Sequence, residues 1–364
     1  MPSKIYPQLK NYSKFLTVAC LLLLPFLAQT QDARYSTMAA SPQLINPAMT
    51  GLMNGQLRFT ANFRDLYSSQ LSSQGLKSIG AGLELRRPAG NGNFFGIGLQ
   101  LQQDEAGTSD FKRNQTLLSF SYQQFLGGSR RRGTGHYLAG GGQFGVASRG
   151  LDLNKLWFSN QYFVNGATRE SYIDTNLPTG EGIAGSGNSL YLDTSVGLGW
   201  FANLGNRMGA YLGVAAYHLN KPDVSPISGN VDQLDQRIVI HGGGEIPLGS
   251  GDMSLLPAFR FMDQGPAYEA LLGTNLRYTE RQWKEVALRA GLWAQFSNQL
   301  ADSPGLNAMI VSIGLETERI QFGINYDISA GGVGTITNSR GGWELSMIYV
   351  QPAKYRSKVI CPTF

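Results

Sequence analysis

The chain has 364 residues, of which 42% are hydrophobic, only 15% are charged and 46 are glycine, and its mean hydropathy is -0.16. This composition excludes a membrane protein built of apolar helices. It also argues against a highly charged soluble protein. A transmembrane β-barrel has such an average composition, because half of each strand faces a polar lumen. Beyond the first residues the sequence has no apolar run of the roughly 18 residues that a spanning helix needs. Any membrane crossing must therefore be made by strands that close on themselves.

The first residues have the features of an export signal. Three lysines precede an apolar run at residues 15–28, and polar residues follow it. This arrangement predicts a signal peptide over residues 1–30, cleaved near 28–30. A lipoprotein signal through Cys20 is the weaker alternative, since four leucines follow this cysteine where a mature chain should become polar.

Removal of the signal peptide changes the charge balance. The segment holds three of the 30 Lys and Arg and none of the 25 Asp and Glu, so 27 basic residues remain against 25 acidic ones, a net charge of about +2 instead of +5. Such a small charge gives no reason to expect a nucleic acid as partner. Cys361 is the one cysteine left in the mature chain, so no disulfide can form within it.

Apolar and polar residues alternate repeatedly between residues 56 and 350. In Arg319–Ser329, the clearest example, every second residue from Ile320 onward is apolar, which gives a strand one apolar face and one polar face. We predict an all-β fold, a single-chain antiparallel transmembrane β-barrel of about fourteen strands over residues 56–350, an even number as outer-membrane barrels have. The predicted strands are 56–65, 76–87, 94–104, 114–126, 136–148, 188–202, 207–218, 235–247, 251–263, 268–279, 283–296, 307–317, 319–329 and 341–350.

Long and short connections alternate between these strands, as expected when outer loops are long and periplasmic turns are short. The longest predicted outer loop is 150–187, and 105–113 also belongs to the long set. Residues 31–55 then lie in the periplasm or in the lumen, and residues 351–364 form a periplasmic tail. A soluble β-sandwich or propeller would alternate in the same way, but it would need neither an export signal nor so many long strands with a polar face.

The alternation also predicts which face each side chain occupies. Phe95 and Ile97 should face lipid, whereas Glu269 and Arg277 should point into the lumen, because a charge on the lipid face is unfavourable. Aromatic residues near strand ends suit the membrane interface, with a buried core as the alternative for each of them. These residues are Trp200, Phe201, Tyr278, Trp283, Trp343 and Tyr349.

Motifs that would indicate catalysis or cofactor binding do not fit their contexts. Gly140, Gly142 and Gly145 match G-x-G-x-x-G, but no βαβ unit follows, so dinucleotide binding is rejected. The three histidines are far apart in sequence and none has a metal-ligand partner at the usual spacing. We therefore predict no catalytic residue, no metal and no cofactor. The glycine runs in strands indicate sheet curvature and close approach of residues in the lumen.

Three segments carry motifs in a characteristic order. Asn46-Pro47-Ala48 and a glycine precede a first strand that contains arginines, residues 211–222 are a strand that leads into His-Leu and a proline, and residues 322–349 have a Tyr-Asp step before a glycine-rich loop and a last strand. In order and spacing these segments resemble the PorP/SprF family of type IX secretion membrane proteins.

The resemblance implies a non-enzymatic component of the type IX secretion system in the outer membrane. Such a protein binds or anchors a secreted surface protein, in gliding bacteria a large adhesin. The implied partners are secreted proteins with a C-terminal targeting domain and periplasmic subunits of the machinery, in addition to outer-membrane lipid. A passive diffusion channel is the main alternative. It would have an open, charged bore, whereas the bore of an anchoring barrel should be filled.

Three groups of residues are candidate partner contacts. The resemblance implies that Asn46 and Pro47 either contact a partner or belong to a segment that occupies the lumen. Alternatively, they could simply form a turn before the first strand. Aromatic residues of the long outer loop could bind a partner, fold over the mouth or pack in the lumen. The third group is a basic turn on the periplasmic side, suited to an acidic partner or merely solvated. The outer-loop group consists of Trp157, Phe158, Tyr162 and Phe163. The basic turn consists of Arg130, Arg131 and Arg132.

Overall fold

The computed structural model describes residues 35–352, apart from short gaps. The gaps are 72–74, 130–133, 153–154, 167, 179–185, 226–230, 250–251, 280–285 and 299–303. The predicted signal peptide, the predicted tail from residue 353 onward with Cys361, and the basic turn with Arg130, Arg131 and Arg132 lie outside the described residues.

Fourteen strands form a closed antiparallel barrel, and two short strands form a separate sheet. In chain order the strands are β1 (Leu57–Leu66), β2 (Leu76–Gly90), β3 (Asn93–Ala106), β4 (Phe111–Gly127), β5 (Gly135–Asp152), β6 (Tyr162–Val164), β7 (Ser171–Ile173), β8 (Ser186–Gly205), β9 (Met208–Tyr217), β10 (Arg237–Leu248), β11 (Met253–Gln264), β12 (Ala267–Thr279), β13 (Val286–Asn298), β14 (Pro304–Thr317), β15 (Ile320–Ser329) and β16 (Arg340–Gln351). Each barrel strand pairs with its neighbours along the chain, and β1 pairs with β16 to close the sheet. The predicted fourteen-strand barrel is confirmed.

One predicted outer loop is much shorter than expected. The prediction of a long connection at 105–113 is wrong, because β3 continues to Ala106 and β4 begins at Phe111. Charged pairs extend the ladder there: Arg113 lies 3.0 Å from Asp104, and Lys112 lies 3.3 Å from Glu105. Apolar alternation cannot detect a strand end whose side chains on both faces are polar.

Tight turns lie at the end of the barrel where β1 begins. The β8–β9 turn consists of Asn206 and Arg207, with φ of 52° and 62°, the left-handed pair that suits the twist of a two-residue hairpin. The longest connection, from β5 to β8, lies at the opposite end and contains the β6–β7 hairpin. We call these the inner and outer ends. None of the helices in the described part of the chain has the length and apolar character needed to cross a membrane.

The two faces of the barrel wall follow the predicted alternation. Phe95 and Ile97 are exposed on the outside, whereas Glu269 is fully buried inside. Of the two positions predicted for the aromatic residues near strand ends, Phe201 occupies the buried one, since it is only 2% exposed and stacks on Tyr137 inside the barrel with ring centroids 4.7 Å apart. The reason is the period of two, because neighbouring residues of a strand cannot share a face. Trp283 lies outside the described residues.

Most of the hydrophobic core lies inside the barrel. Residues 35–55, which we call the plug, occupy the lumen and include three short helical turns, Met38–Ala40, Pro42–Ile45 and Pro47–Met49. Apolar plug residues pack against aromatic residues of the wall in one cluster. The cluster includes Met38, Ile45, Met49 and Leu52 of the plug and Phe94, Tyr137, Phe201, Tyr211 and Tyr217 of the wall.

A second, smaller cluster lies nearer the outer end. Val224 and Leu234 of the β9–β10 connection are buried against Ala147 of β5 and Tyr191 of β8. This connection therefore folds inward, and the lumen contains chain from both of its ends.

Ile324→Arg tests the assignment of the lipid face. Ile324 lies in the middle of β15 with its side chain outward, so we expect a loss of roughly 2–4 kcal/mol of unfolding free energy in bilayers. Gln321, an inward residue near the start of the same strand, gives the control Gln321→Arg, for which we expect a much smaller loss. Urea unfolding in lipid vesicles measures both. Equal losses for the two variants would contradict the assignment.

Candidate functional site: the plug and its seat in the lumen

The plug carries no charged side chain over residues 35–55, whereas the wall around it is rich in charges. We call the wall residues in contact with the plug the seat. Buried arginines and carboxylates point inward from strands on both sides of the β1–β16 junction and from the opposite wall. They include Arg58, Arg64, Glu84, Arg86, Arg237, Arg260, Glu269, Asp327 and Glu344.

Asn46 is fully buried and joins the plug to three strands. Its Nδ2 lies 2.9 Å from the carbonyl oxygen of Leu198 on β8, 3.3 Å from that of Val214 on β9 and 3.0 Å from Nε2 of His241 on β10. Its Oδ1 accepts a hydrogen bond of 2.9 Å from the backbone N–H of Ala48. The side chain therefore caps the short Pro47–Met49 turn and at the same time fastens the plug to the wall. The structure places Asn46 in both a turn and the lumen, the two alternatives that the sequence left open.

Inward-facing glycines make room for the plug. A Cβ atom on Gly197 of β8 would overlap Oδ1 of Asn46, and one on Gly141 of β5 would lie 2.6 Å from the carbonyl oxygen of the buried Pro47. No real Cβ atom makes contacts this close. The glycines predicted to permit close approach thus form a shallow groove that receives the backbone of the plug.

A buried ion pair holds the inner part of the plug. Arg58 of β1 and Glu84 of β2 form two hydrogen bonds of 2.8 Å and 2.7 Å. Arg58 also donates to the carbonyl oxygen of Leu52 at 3.0 Å, and Glu84 accepts from the N–H of Gly51 at 2.7 Å. A buried charge pair is favourable only when its remaining donors and acceptors are satisfied. Here the plug backbone provides the remaining hydrogen-bond partners.

A second network holds the other end of the plug. Glu344 of β16 accepts hydrogen bonds from the backbone N–H groups of Ser36 at 2.6 Å and Thr37 at 2.8 Å. Arg64 of β1 lies 2.5 Å from Asp327 of β15 and 3.9 Å from Glu344. The carboxylates of β15 and β16 are therefore paired with Arg64 of the wall, and that of Glu344 also binds the main chain of the plug.

Tyr35 connects opposite sides of the barrel. Its hydroxyl donates to Gln102 of β3 at 3.0 Å, and its carbonyl oxygen accepts a 2.8 Å hydrogen bond from Arg260 of β11, which is itself paired with Glu269 at 2.8 Å. Burial raises the pKa of the Tyr35 phenol above its ordinary value, so the hydroxyl stays a neutral donor.

A small cavity of about 60 Å³ remains beside the plug. Plug residues 36–39 form one side, and the opposite wall contributes Leu256, Asn275 and Trp293. The plug thus fills the lumen unevenly, with less packing on the side of β11 to β15.

The aromatic residues of the long outer loop lie outside the lumen. Trp157, Tyr162 and Phe163 are 57%, 46% and 39% exposed, and Phe158 is half-buried. Trp157 stacks on Tyr162, and Phe163 stacks across the β6–β7 hairpin on Tyr172. The alternative in which these exposed side chains pack inside the barrel is wrong, because the hairpin is stabilised by its own cross-strand contacts. The structure does not bring them together with Asn46 and Pro47.

Comparison with known proteins identifies the chain. Residues 27–349 match the family described as type IX secretion system membrane protein PorP/SprF. The chain belongs to the PorP/SprF family. It is a membrane protein of the type IX secretion system, and its closed barrel lies in the outer membrane. A search of curated proteins gave no match.

Several solved barrels are distantly similar to this PorP/SprF chain. The TodX monoaromatic hydrocarbon channel deltaS2 mutant has 12% identity and a TM-score of 0.44, covering 85% of this chain and 92% of its own. The toluene transporter TbuX of Ralstonia pickettii has 10% identity and a TM-score of 0.43, with the same coverage of 85% and 92%. The translocator domain of the autotransporter NalP from Neisseria meningitidis has 10% identity and a TM-score of 0.32, covering 94% and 97%.

Sequence reasoning missed most of the seat of this PorP/SprF barrel. Arg58, Glu84 and Glu344 were not singled out, although each occupies an inward position of a predicted strand. Charges at inward positions on neighbouring strands were the available signal. The acid beside His218 was also missed: both carboxylate oxygens of Asp193 lie within 3.0 Å of His218 Nδ1. Among the described residues, no group of three His, Cys, Asp or Glu is placed to hold a metal ion.

Breaking and replacing the Arg58–Glu84 pair tests its role. Glu84→Gln should lower the unfolding free energy by about 3–5 kcal/mol, because it leaves the Arg58 charge buried without its counter-charge. The combined variant Arg58→Met with Glu84→Leu should recover much of this loss. Chemical unfolding in detergent or lipid measures all the variants. A Glu84→Gln variant as stable as the wild type would contradict the role given to this pair.

Proposed function

We propose that this PorP/SprF barrel is a non-enzymatic binding and anchoring component of type IX secretion. In this role it holds a secreted surface protein at the outer membrane, in gliding bacteria an adhesin, and contacts periplasmic subunits of the machinery. The observation that carries the proposal is the filled lumen. The plug occupies the bore from the inner end, and the β9–β10 connection packs inside it near the outer end.

A filled bore favours anchoring over passive diffusion. A diffusion channel needs a water-filled path with charges exposed along it. In this barrel the inward charges of Arg58, Glu84, Arg64 and Glu344 are buried, and they are used in ion pairs and in contacts with the plug. Charges used in this way hold a segment in place and are not available to lower the barrier for a passing ion.

The outer hairpin supplies a surface for a secreted partner. Trp157, Tyr162, Phe163 and Tyr172 project from the barrel with large exposed fractions, and rigid aromatic side chains are common anchors at interfaces. The hairpin strands β6 and β7 pair only with each other in the described structure. We propose that the secreted partner binds here and that Arg130, Arg131 and Arg132 contact an acidic periplasmic subunit.

A pulldown from gently solubilised outer membranes tests the partner surface. The tag is placed in the β9–β10 connection, and bound proteins are identified by mass spectrometry. We expect recovery of a large secreted protein, reduced at least tenfold in the variant Trp157→Ala with Phe163→Ala, because two anchors are lost. Val231→Ala, at an exposed residue of a different outer loop, is the matched control. Recovery of the barrel alone from the wild type would reject the anchoring role.

Conductance measurements separate the two candidate functions directly. The wild-type barrel should show no steady ion current in planar bilayers, because the plug fills the bore. Gly197→Leu should produce a steady current, since its side chain would occupy the position of Asn46 and displace the plug. Gly142→Leu is the control: this glycine faces lipid, and its nearest heavy atom would be 3.9 Å from an added Cβ. A steady current through the wild type would favour the channel.

A further inference from the structure

The contacts between plug and wall are directed mainly at the main chain of the plug. Carbonyl oxygens along the whole segment accept hydrogen bonds from inward side chains, and three N–H groups donate to carboxylates. Side-chain donors from the wall reach the carbonyl oxygens of Tyr35, Ala40, Gln43, Leu44, Thr50, Leu52 and Met53. A wall that binds main-chain groups recognises a peptide backbone with little dependence on the side chains of the peptide.

The seat does not depend on the plug for charge neutrality. Arg58 is paired with Glu84, Arg64 with Asp327, and Arg260 with Glu269, each pair formed within the wall. Because the plug itself is uncharged, its departure would break hydrogen bonds but would leave these three ion pairs intact. Loss of one member of a buried ion pair is strongly unfavourable, whereas replacement of one neutral peptide by another avoids that penalty.

Apart from polar contacts such as those of Asn46, the side chains that anchor the plug are few and apolar. Met38, Ile45, Met49 and Leu52 pack on wall aromatics, and methionine adapts readily to different surroundings. The wall side of these contacts is a row of aromatic faces and small residues. A different segment with flexible apolar side chains at similar spacing would fit the same surface.

The cavity beside the plug gives a place where a second segment can begin to bind. Plug residues 36–39 line it on one side, and its other walls contain Trp293, Leu256 and Asn275. A segment that enters this space lies directly against the part of the plug that Glu344 holds. Exchange can therefore proceed from one end, with each lost hydrogen bond of the plug replaced by one to the incoming chain.

We propose that the seat is a binding site for an uncharged peptide segment of another polypeptide, and that the plug fills this site in cis until such a segment replaces it. The partner segment has few or no charged residues, small residues where it passes the inward glycines, and methionine or aliphatic side chains as anchors. This inference rests on the proposed binding function and assigns it a second site inside the barrel, distinct from the outer hairpin.

A labelled synthetic peptide with the sequence of residues 35–55 tests the proposal on the full-length protein in detergent micelles. Fluorescence anisotropy should show weak, saturable binding to the wild type, because the plug competes and only its open fraction is available. In the Asn46→Ala protein, the plug can no longer contact Leu198 and His241 through this side chain. The added peptide keeps its asparagine and can still make these contacts. We expect its apparent affinity for the peptide to be about tenfold higher than that of the wild type.

Two controls locate the binding in the lumen. Gly197→Leu fills the groove and should abolish peptide binding, whereas the lipid-facing Gly142→Leu should bind like the wild type. A peptide with I45E and M49E should fail to bind to every variant, because a charge without a partner would be buried. Heat-modifiable mobility on gels verifies that each barrel is folded.

The outcomes separate this site from the proposed function. The lumenal site is rejected if folded Asn46→Ala protein binds no peptide, or if Gly197→Leu binds it as well as the wild type does. A secreted partner that is recovered equally by wild type and Gly197→Leu in the pulldown would leave the anchoring role standing and would overturn the site in the lumen.

Discussion

Closure of the sheet between β1 and β16 is the constraint on which the rest of this structure depends. In a bilayer every backbone N–H and C=O group must be paired within the protein, and a closed sheet achieves this without an open edge. Closure creates an interior surface that is shielded from lipid, and in this barrel the plug also shields much of it from bulk water. The ion pairs of the lumen and the buried position of the plug both follow from this geometry.

A neutral segment suits such an interior. The wall already pairs Arg58 with Glu84 and Arg260 with Glu269, so a charged plug would have to compete with pairs that are complete. Main-chain groups of the plug use donors and acceptors that the ion pairs leave over, and the amide of Asn46 donates to backbone carbonyl oxygens of the wall. In this PorP/SprF barrel the wall pairs its own charges, and the neutral residues 35–55 fill the lumen.

The strands were predictable from the sequence because each one carries its own signal. The period of two gives both the presence of a strand and its two faces, as for Phe95 and Glu269, while residues beyond the alternation, such as Glu105 and Lys112, were assigned to a loop. The plug has no such period, since its backbone follows short helical turns shaped by the wall. Contacts of Asn46 with Leu198, Val214 and His241 join residues more than a hundred positions apart, and they depend on the register of the whole sheet. Local patterns contain no information about that register.

The position of Tyr35 also has a mechanical consequence. Its side chain is bonded to β3 and its carbonyl oxygen to β11, and these strands lie on nearly opposite sides of the ring of fourteen. A hollow cylinder flattens easily under lateral load, whereas one with an internal strut across its diameter keeps a round cross-section. The plug therefore also acts as a cross-link between nearly opposite walls of the barrel.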